Sequence, residues 1–255
     1  MLQITRHDSY ETWTISSPDR GNGIGTTVAE QLLHACRQPA PPGHLPLVIT
    51  AAPVEKPKGA LWIAGGDLIE LAALQDRNDA RRYAGMMSEA MRLLRRSGRI
   101  VITAVDGAAI GGGVELALAG DIRLATERSW FEFKQLRAGL ATGYGSARRL
   151  VDLIGLARSE RLLYFCEKIS AAEAEQLGLV HRLTDSSAGL KTLVEHTCMH
   201  LGSLPPSALA AQKAMFTAAC QNGSDSARSA ELDLFTGIWR NKQHAAFLQD
   251  FTSKK

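Results

Sequence analysis

The chain has 255 residues, enough to bury one large core or a core with an appended lobe. Apolar residues make up 45% of it and charged residues 22%, near the averages for soluble globular proteins, which argues against disordered, collagen-like and membrane-spanning classes. The formal net charge of +3 is small, and Lys and Arg are dispersed among acidic residues, which gives no support to nucleic-acid binding. Cys36, Cys166, Cys198 and Cys220 lack both CxxC spacing and the density of a disulfide scaffold, so a reducing compartment and buried thiols are expected. The N-terminus joins no basic segment to an apolar run, and no window reaches the ~18 apolar residues of a membrane span. A cytoplasmic protein, complete as written and without a membrane partner, is expected.

Leu2-Gln3-Ile4-Thr5 and Glu11-Thr12-Trp13-Thr14-Ile15 alternate with period two around His7-Asp8-Ser9, which predicts an antiparallel hairpin. After a loop from Pro18 to Gly25, Thr27 to Arg37 carry helical spacing behind a Thr cap candidate, and Leu47 to Thr50 read as a buried strand. A polar loop, Ala51 to Gly59, leads into a second apolar run from Ala60 to Ala64. Arg81 to Arg96 form a long amphipathic helix whose Met86, Met87 and Met91 read as core. Ile100 to Val105 then read as a strand, Gly111-Gly112-Gly113 open a helix reaching about Ala119, and Asp121 to Ala125 read as another strand. From about residue 198 the pattern changes: Pro205-Pro206 precede two helical segments, about 207–221 and 226–249, with no strand. The expected division is a core with the active site over 1–197 and a helical region over 198–255.

Two segments carry chemistry. In Val105 to Asp121, three glycines follow a strand and open a helix whose free N–H groups and positive dipole end suit an anion, or an oxygen becoming one. The spacing fits neither GxxxxGK[ST] nor GxGxxG. Glu115, in the first turn of an otherwise apolar helix, is the unexpected residue, since a dipole-pairing helix glutamate explains it equally well when taken alone. In Ile63-Ala64-Gly65-Gly66-Asp67-Leu68-Ile69-Glu70 a buried strand ends in two glycines and enters a helix with an acidic first turn. Two backbone donors from separate segments are what an oxyanion hole requires.

Residues 63–70 resemble the AGxDxxE motif of the enoyl-CoA hydratase/isomerase (crotonase) superfamily, and residues 105–121 resemble its NGxxxGGGxELxxxCD motif, with Asp106 for the first Asn and Gly120 for Cys. Pro18 to Ile24 is similar to the family's RPxxxNAL, and Arg148-Arg149-Leu150 and Ala171 to Val180 to its RL and SAxEAxxxGLV, so the likeness spans nearly the whole chain. It implies an α/β fold, a crotonase-like left-handed spiral of ββα units with a C-terminal helical trimerisation region, assembled as a homotrimer or hexamer. It also implies an acyl-CoA substrate, the thioester being coenzyme A's own and no further cofactor being needed. The thioester carbonyl is expected between the N–H groups of Gly66 and Gly112, with Ala64, Gly65, Asp67 and Gly111 around the substrate. Lys56 and Lys58 are candidate phosphate neighbours, although solvated loop lysines are the plainer reading. The seven histidines show no metal-binding spacing and no Ser-His-Asp order is suggested, so neither metal nor nicotinamide is implied.

Phe131 to Gly139 resembles the family's FGxPExxLG, and where that motif has the second catalytic glutamate this chain has Gln135. An amide orients water but exchanges no proton at neutral pH. Glu132 lies three residues earlier, and an odd shift along a strand turns its side chain to the opposite face. Tyr144, in a loop resembling the family's active-site PGxG turn, is either a water-positioning or proton-donating hydroxyl or a packing residue. The expectation is a hydratase-like lyase with Glu115 as the retained acid/base. Decarboxylation of a malonyl-type thioester, which generates an enolate without a base, and a non-catalytic acyl-CoA-binding role stay open.

Overall fold

A computed structural model describes residues 1–41 and 45–221, Leu232, Phe235, Thr236, Trp239 and residues 242–253. The strands are β1 (Leu2–Arg6), β2 (Glu11–Ile15), β3 (Leu47–Ala51), β4 (Glu55–Lys56), β5 (Gly59–Ile63), β6 (Val101–Val105), β7 (Ala108–Ile110), β8 (Ile122–Thr126), β9 (Trp130–Glu132), β10 (Lys168–Ser170) and β11 (Arg182–Thr184). They form a six-stranded sheet ordered β1-β2-β3-β6-β8-β11 and a five-stranded sheet ordered β10-β9-β7-β5-β4. From β5 to β9 the chain alternates between the sheets, giving β5 to one, β6 to the other, and so on. The pairs β3/β6, β6/β8, β5/β7 and β7/β9 are all parallel, so each turn adds one strand to each sheet. This is the expected ββ succession. The opening hairpin is antiparallel, pairing Leu2 with Ile15 through Arg6 with Glu11.

The helices are α1 (Thr26–Arg37), α2 (Leu68–Ala72), α3 (Arg77–Arg96), α4 (Gly112–Ala117), α5 (Ser146–Ile154), α6 (Leu156–Tyr164), α7 (Ala171–Gln176), α8 (Ser187–Gly202), α9 (Pro206–Gln221) and α10 (Lys242–Ser253). Helix α3 begins earlier than its apolar stripe suggests, because the Asp76 side chain accepts from Asn78 N at 2.8 Å and Asp79 N at 2.9 Å and so satisfies two free amides of the first turn. Its inner face, Tyr83, Met87, Met91 and Leu94, is buried and packs beside α1. Burial of each such side chain contributes ~1.5–3 kcal/mol. The expected Thr cap of α1 is replaced: Gly25 holds the cap position and the Glu70 carboxylate, from α2, accepts from Thr27 N at 3.2 Å. A side chain on Gly25 would have to displace that carboxylate.

Lys213 of α9 is 5% exposed as a side chain, and its Nζ donates to Leu94 O (2.9 Å), Arg99 O (2.7 Å) and Asp121 Oδ2 (2.7 Å). A buried ammonium is tolerated only when paired in this way, and here it fastens α9 to the end of α3. Part of the expected segment 226–249 lies outside the described residues, and α10 continues past its end to Ser253. Among the described residues no helix is long and apolar enough to cross a membrane.

Candidate active site

The glycine frame follows from the way β5 and β7 end. Gly65 has φ +102°, and a Cβ there would lie 2.9 Å from Ile110 O, so only glycine permits the end of β5 to approach the end of β7. Ile24 N donates to Gly65 O at 2.8 Å and Asp67 N donates to Ile24 O at 3.1 Å. Ile24 therefore brackets Gly66, as in a parallel ladder, and the N–H of Gly66 itself turns to the other side. Gly112 is the first residue of α4, and its N–H has no acceptor within that helix. Ala64, Gly65, Gly66, Gly111 and Gly112 all line one pocket of about 440 Å³.

Glu115 reaches the same pocket from the first turn of α4 and is 3% exposed. Its Oε2 accepts from Tyr144 N (2.9 Å), Gly143 N (3.2 Å) and Ser146 Oγ (2.7 Å), while Oε1 accepts from Gln135 Nε2 at 2.8 Å. The loop 142–146 thus wraps the carboxylate and fixes its direction. Since a carboxylate only accepts, the Gln135 amide must turn its NH₂ toward it, which leaves Gln135 Oε1 buried with no hydrogen-bond partner among the described residues.

Glu132 points elsewhere. It is paired with Lys134 (3.2 Å) and Arg137 (3.7 Å), while its backbone carbonyl accepts from Gly111 N. Asp67 is likewise committed: Oδ1 caps α2 through Ile69 N and Glu70 N, and Oδ2 accepts from Arg20 Nε at 2.9 Å. It supports the frame and does not line the pocket. Lys56 on β4 and Lys58 in the following turn are exposed, and neither lines the pocket wall. Among the described residues, the cations that line it are Lys134 and Arg137.

Sequence patterning missed two contributions. Tyr83 of α3 lines the pocket, and its hydroxyl donates to Ile24 O at 2.8 Å and contacts that of Tyr144. Phe235, Trp239 and Phe251, from the C-terminal region, close one side of the cavity. Phe235 lies against Gly143, where a Cβ would come within 2.6 Å of its ring, so the loop that holds Glu115 is backed by the C-terminus. Burial, chiefly, raises the pKa of both tyrosines, and the nearby Glu115 charge adds to it, so both phenols are protonated at neutral pH. Burial also pushes the Cys36 and Cys198 thiols up to about 12, which removes them as nucleophiles; the Cys220 side chain lies outside the described residues.

Two glycine-rich strand ends and one buried carboxylate therefore share the wall of a single pocket on a two-sheet spiral fold. The fold is shared with the crystal structure of an enoyl-CoA hydratase from Bacillus halodurans, at a TM-score of 0.86 over 98% of this chain and 99% of that one, although the two are only 19% identical. Residues 15–255 match the family model described as Enoyl-CoA hydratase/isomerase, and the chain belongs to that family. It is 25% identical over 242 residues to a short-chain-enoyl-CoA hydratase of Clostridium acetobutylicum, covering 95% of this chain and 90% of the relative. It is 31% identical over 194 residues to a crotonyl-CoA hydratase of Syntrophomonas wolfei, covering 76% and 74%.

Proposed function

We propose that the chain is a hydratase-like lyase acting on an acyl-CoA thioester, with the thioester oxygen held by the N–H groups of Gly66 and Gly112 and with Glu115 as the single acid/base. The observation that carries this reading is the 2.8 Å contact between Gln135 Nε2 and Glu115 Oε1 on the wall that also bears both glycines. Gln135 Oε1, without a hydrogen-bond partner among the described residues, is placed to accept from a water beside the Glu115 carboxylate. Attack of that water on the β-carbon forms a C–O bond and passes a proton to Glu115. Charge moves onto the thioester oxygen, where the two backbone donors stabilise it without reorganising. Glu115 then returns the proton to the α-carbon, so the two carboxyl groups of the usual pair are replaced by one. The hydratase names of both relatives support the choice.

Coenzyme A enters as part of the substrate, and this mechanism calls for no metal or nicotinamide. The trimer or hexamer is carried by the resemblance, and exposed apolar side chains such as Tyr164, Phe165, Met215 and Phe216 are ones an assembly could cover. Sedimentation of a stable monomer at micromolar concentration would oppose that assembly. The reaction is tested by incubating the protein with a panel of enoyl- and malonyl-type CoA thioesters and reading product masses. Addition of one water to an enoyl thioester is the expected result. Loss of carbon dioxide from a malonyl thioester, with enoyl thioesters untouched, would make the chain a decarboxylase. Binding without any turnover would leave only a non-catalytic role.

A further inference from the structure

Tyr83 and Tyr144 line the pocket as buried side chains, whereas Lys134 and Arg137, which also line it, are exposed and paired with Glu132. The tyrosines are 1% and 4% exposed, and their rings meet edge to face with centroids 5.9 Å apart. Their neighbours on the wall include Leu71, Ile110 and Leu140, against which two phenylalanines would pack as well. Placing two hydroxyls in such surroundings is costly unless each has a partner.

The hydrogens can be counted. The Ile24 carbonyl only accepts, so the single proton of Tyr83 is committed to it. Tyr83 Oη must then accept in its contact with Tyr144, which donates. Because the proton of Tyr83 rests on the backbone whatever Tyr144 does, the hydrogen of Tyr144 can swing from Tyr83 to a ligand oxygen without stranding a buried donor. The lone pairs of Tyr144 can equally accept from a ligand hydroxyl. The position of the pair fixes which part of a ligand it meets. A Cβ on Gly112 would stand 2.9 Å from Tyr144 Oη and one on Gly66 would stand 3.9 Å from Tyr83 Oη, so the phenols lie beside the two glycines and face the first few atoms of the acyl chain. The buried Glu115 carboxylate nearby disfavours a second anion here.

We propose that the Tyr144 hydroxyl, which Tyr83 holds as its acceptor until a ligand replaces it, forms a polar subsite that selects acyl thioesters whose short chain carries an additional neutral oxygen, a hydroxyl or a carbonyl, besides the one that hydration adds. This rests on the reading of the pocket as an acyl-CoA site. The test compares enoyl-CoA thioesters of equal chain length that are unsubstituted, bear a hydroxyl or keto group beyond the double bond, or end in a carboxylate. The wild-type protein is expected to favour the hydroxyl or keto chain in kcat/KM by about tenfold or more, the worth of one good hydrogen bond, and to use the carboxylate chain least. Tyr144→Phe should collapse that preference to within about threefold, whatever it does to absolute rates. Tyr83→Phe should keep the preference, because the ligand oxygen replaces Tyr83 as the acceptor for Tyr144. A wild type that does not discriminate, that prefers the carboxylate, or whose preference survives Tyr144→Phe overturns the subsite while leaving the acyl-CoA reading intact. Failure to bind or turn over any thioester overturns both.

Discussion

Replacing Gln135 by Glu would set a second carboxyl group against Glu115, at the position where the amide now donates over 2.8 Å. Two carboxylates with centres about 4 Å apart repel by roughly 4 kcal/mol at an effective dielectric constant near 20. Keeping one of them protonated at pH 7 costs about 3.7 kcal/mol, given an ordinary glutamate value near 4.3. The two figures nearly match, so the pair should share one proton with an apparent pKa near 7, which is where a general acid works best. Hydration of crotonyl-CoA by Gln135→Glu, followed through loss of the enoyl-thioester absorbance, should therefore rise by ~10²–10⁴-fold and fall away above neutrality. The same shared proton predicts a stability cost with a definite sign. Between about pH 4.3 and 7 the folded variant binds more protons than the unfolded chain, so its stability relative to wild type declines as pH rises through that window, to a deficit of roughly 4 kcal/mol. No gain in hydration, together with a urea midpoint difference that is the same at pH 5 and pH 8, would refute the reasoning.

Glu115→Gln should abolish hydration while the fold persists, because the Gln135 amide can turn over and accept from the new NH₂; hydration within about threefold of wild type would remove Glu115 from the chemistry. Gly65→Ala forces a Cβ toward Ile110 O at φ +102° and should cost on the order of 1–3 kcal/mol, read as a urea midpoint, together with most of the turnover. Lys213→Met strips its three close acceptors of a buried ammonium and should destabilise by about 3–5 kcal/mol; a midpoint shift below 1 kcal/mol would show α9 to be loosely held. Partial burial of its ring, with the Arg123 and Arg149 charges beside it, lowers the His181 pKa to about 4, while its Nδ1 accepts from Arg123 N. The unfolded chain takes up that proton near pH 6.5 and the folded protein only near 4, so stability declines as pH falls through this interval. His181→Asn, which retains an acceptor, should flatten the decline, and an unchanged pH profile would count against the assignment.

The meeting of Glu115 with Gln135 was implied by the resemblance of residues 131–139 to the family's FGxPExxLG segment, and the β7/β9 pairing is what brings the two strand ends together. The glycine frame was legible in the residues themselves, as glycines at the ends of two apolar strands that each open a helix. Tyr83 was not, since it shares the inner stripe of α3 with Met87, Met91 and Leu94, and a 3.6-residue period says only that this face is buried. What distinguishes Tyr83 is its contact with Tyr144, from another turn of the spiral, and periodicity holds no record of that. Phe235 and Trp239 belong to the C-terminal helical region, whose apolar residues show from sequence only that they will be buried; that they bury on the pocket side, with Phe235 on Gly143, is a long-range contact that patterning does not record. The cap of α1 was misplaced because its acceptor, Glu70, comes from a different helix.

Phe235, Trp239 and Phe251 give the pocket a schedule. During synthesis the glycines, Glu115, Gln135 and both tyrosines have all left the ribosome well before this last wall exists, and until it docks on Gly143 the carboxylate's loop faces water on that side. Water of that kind weakens every electrostatic contact in the site. A chain cut short after α9 should therefore retain both sheets and much of its helix signal while having lost its rate, making turnover, more than circular dichroism, the measure of whether a molecule was finished.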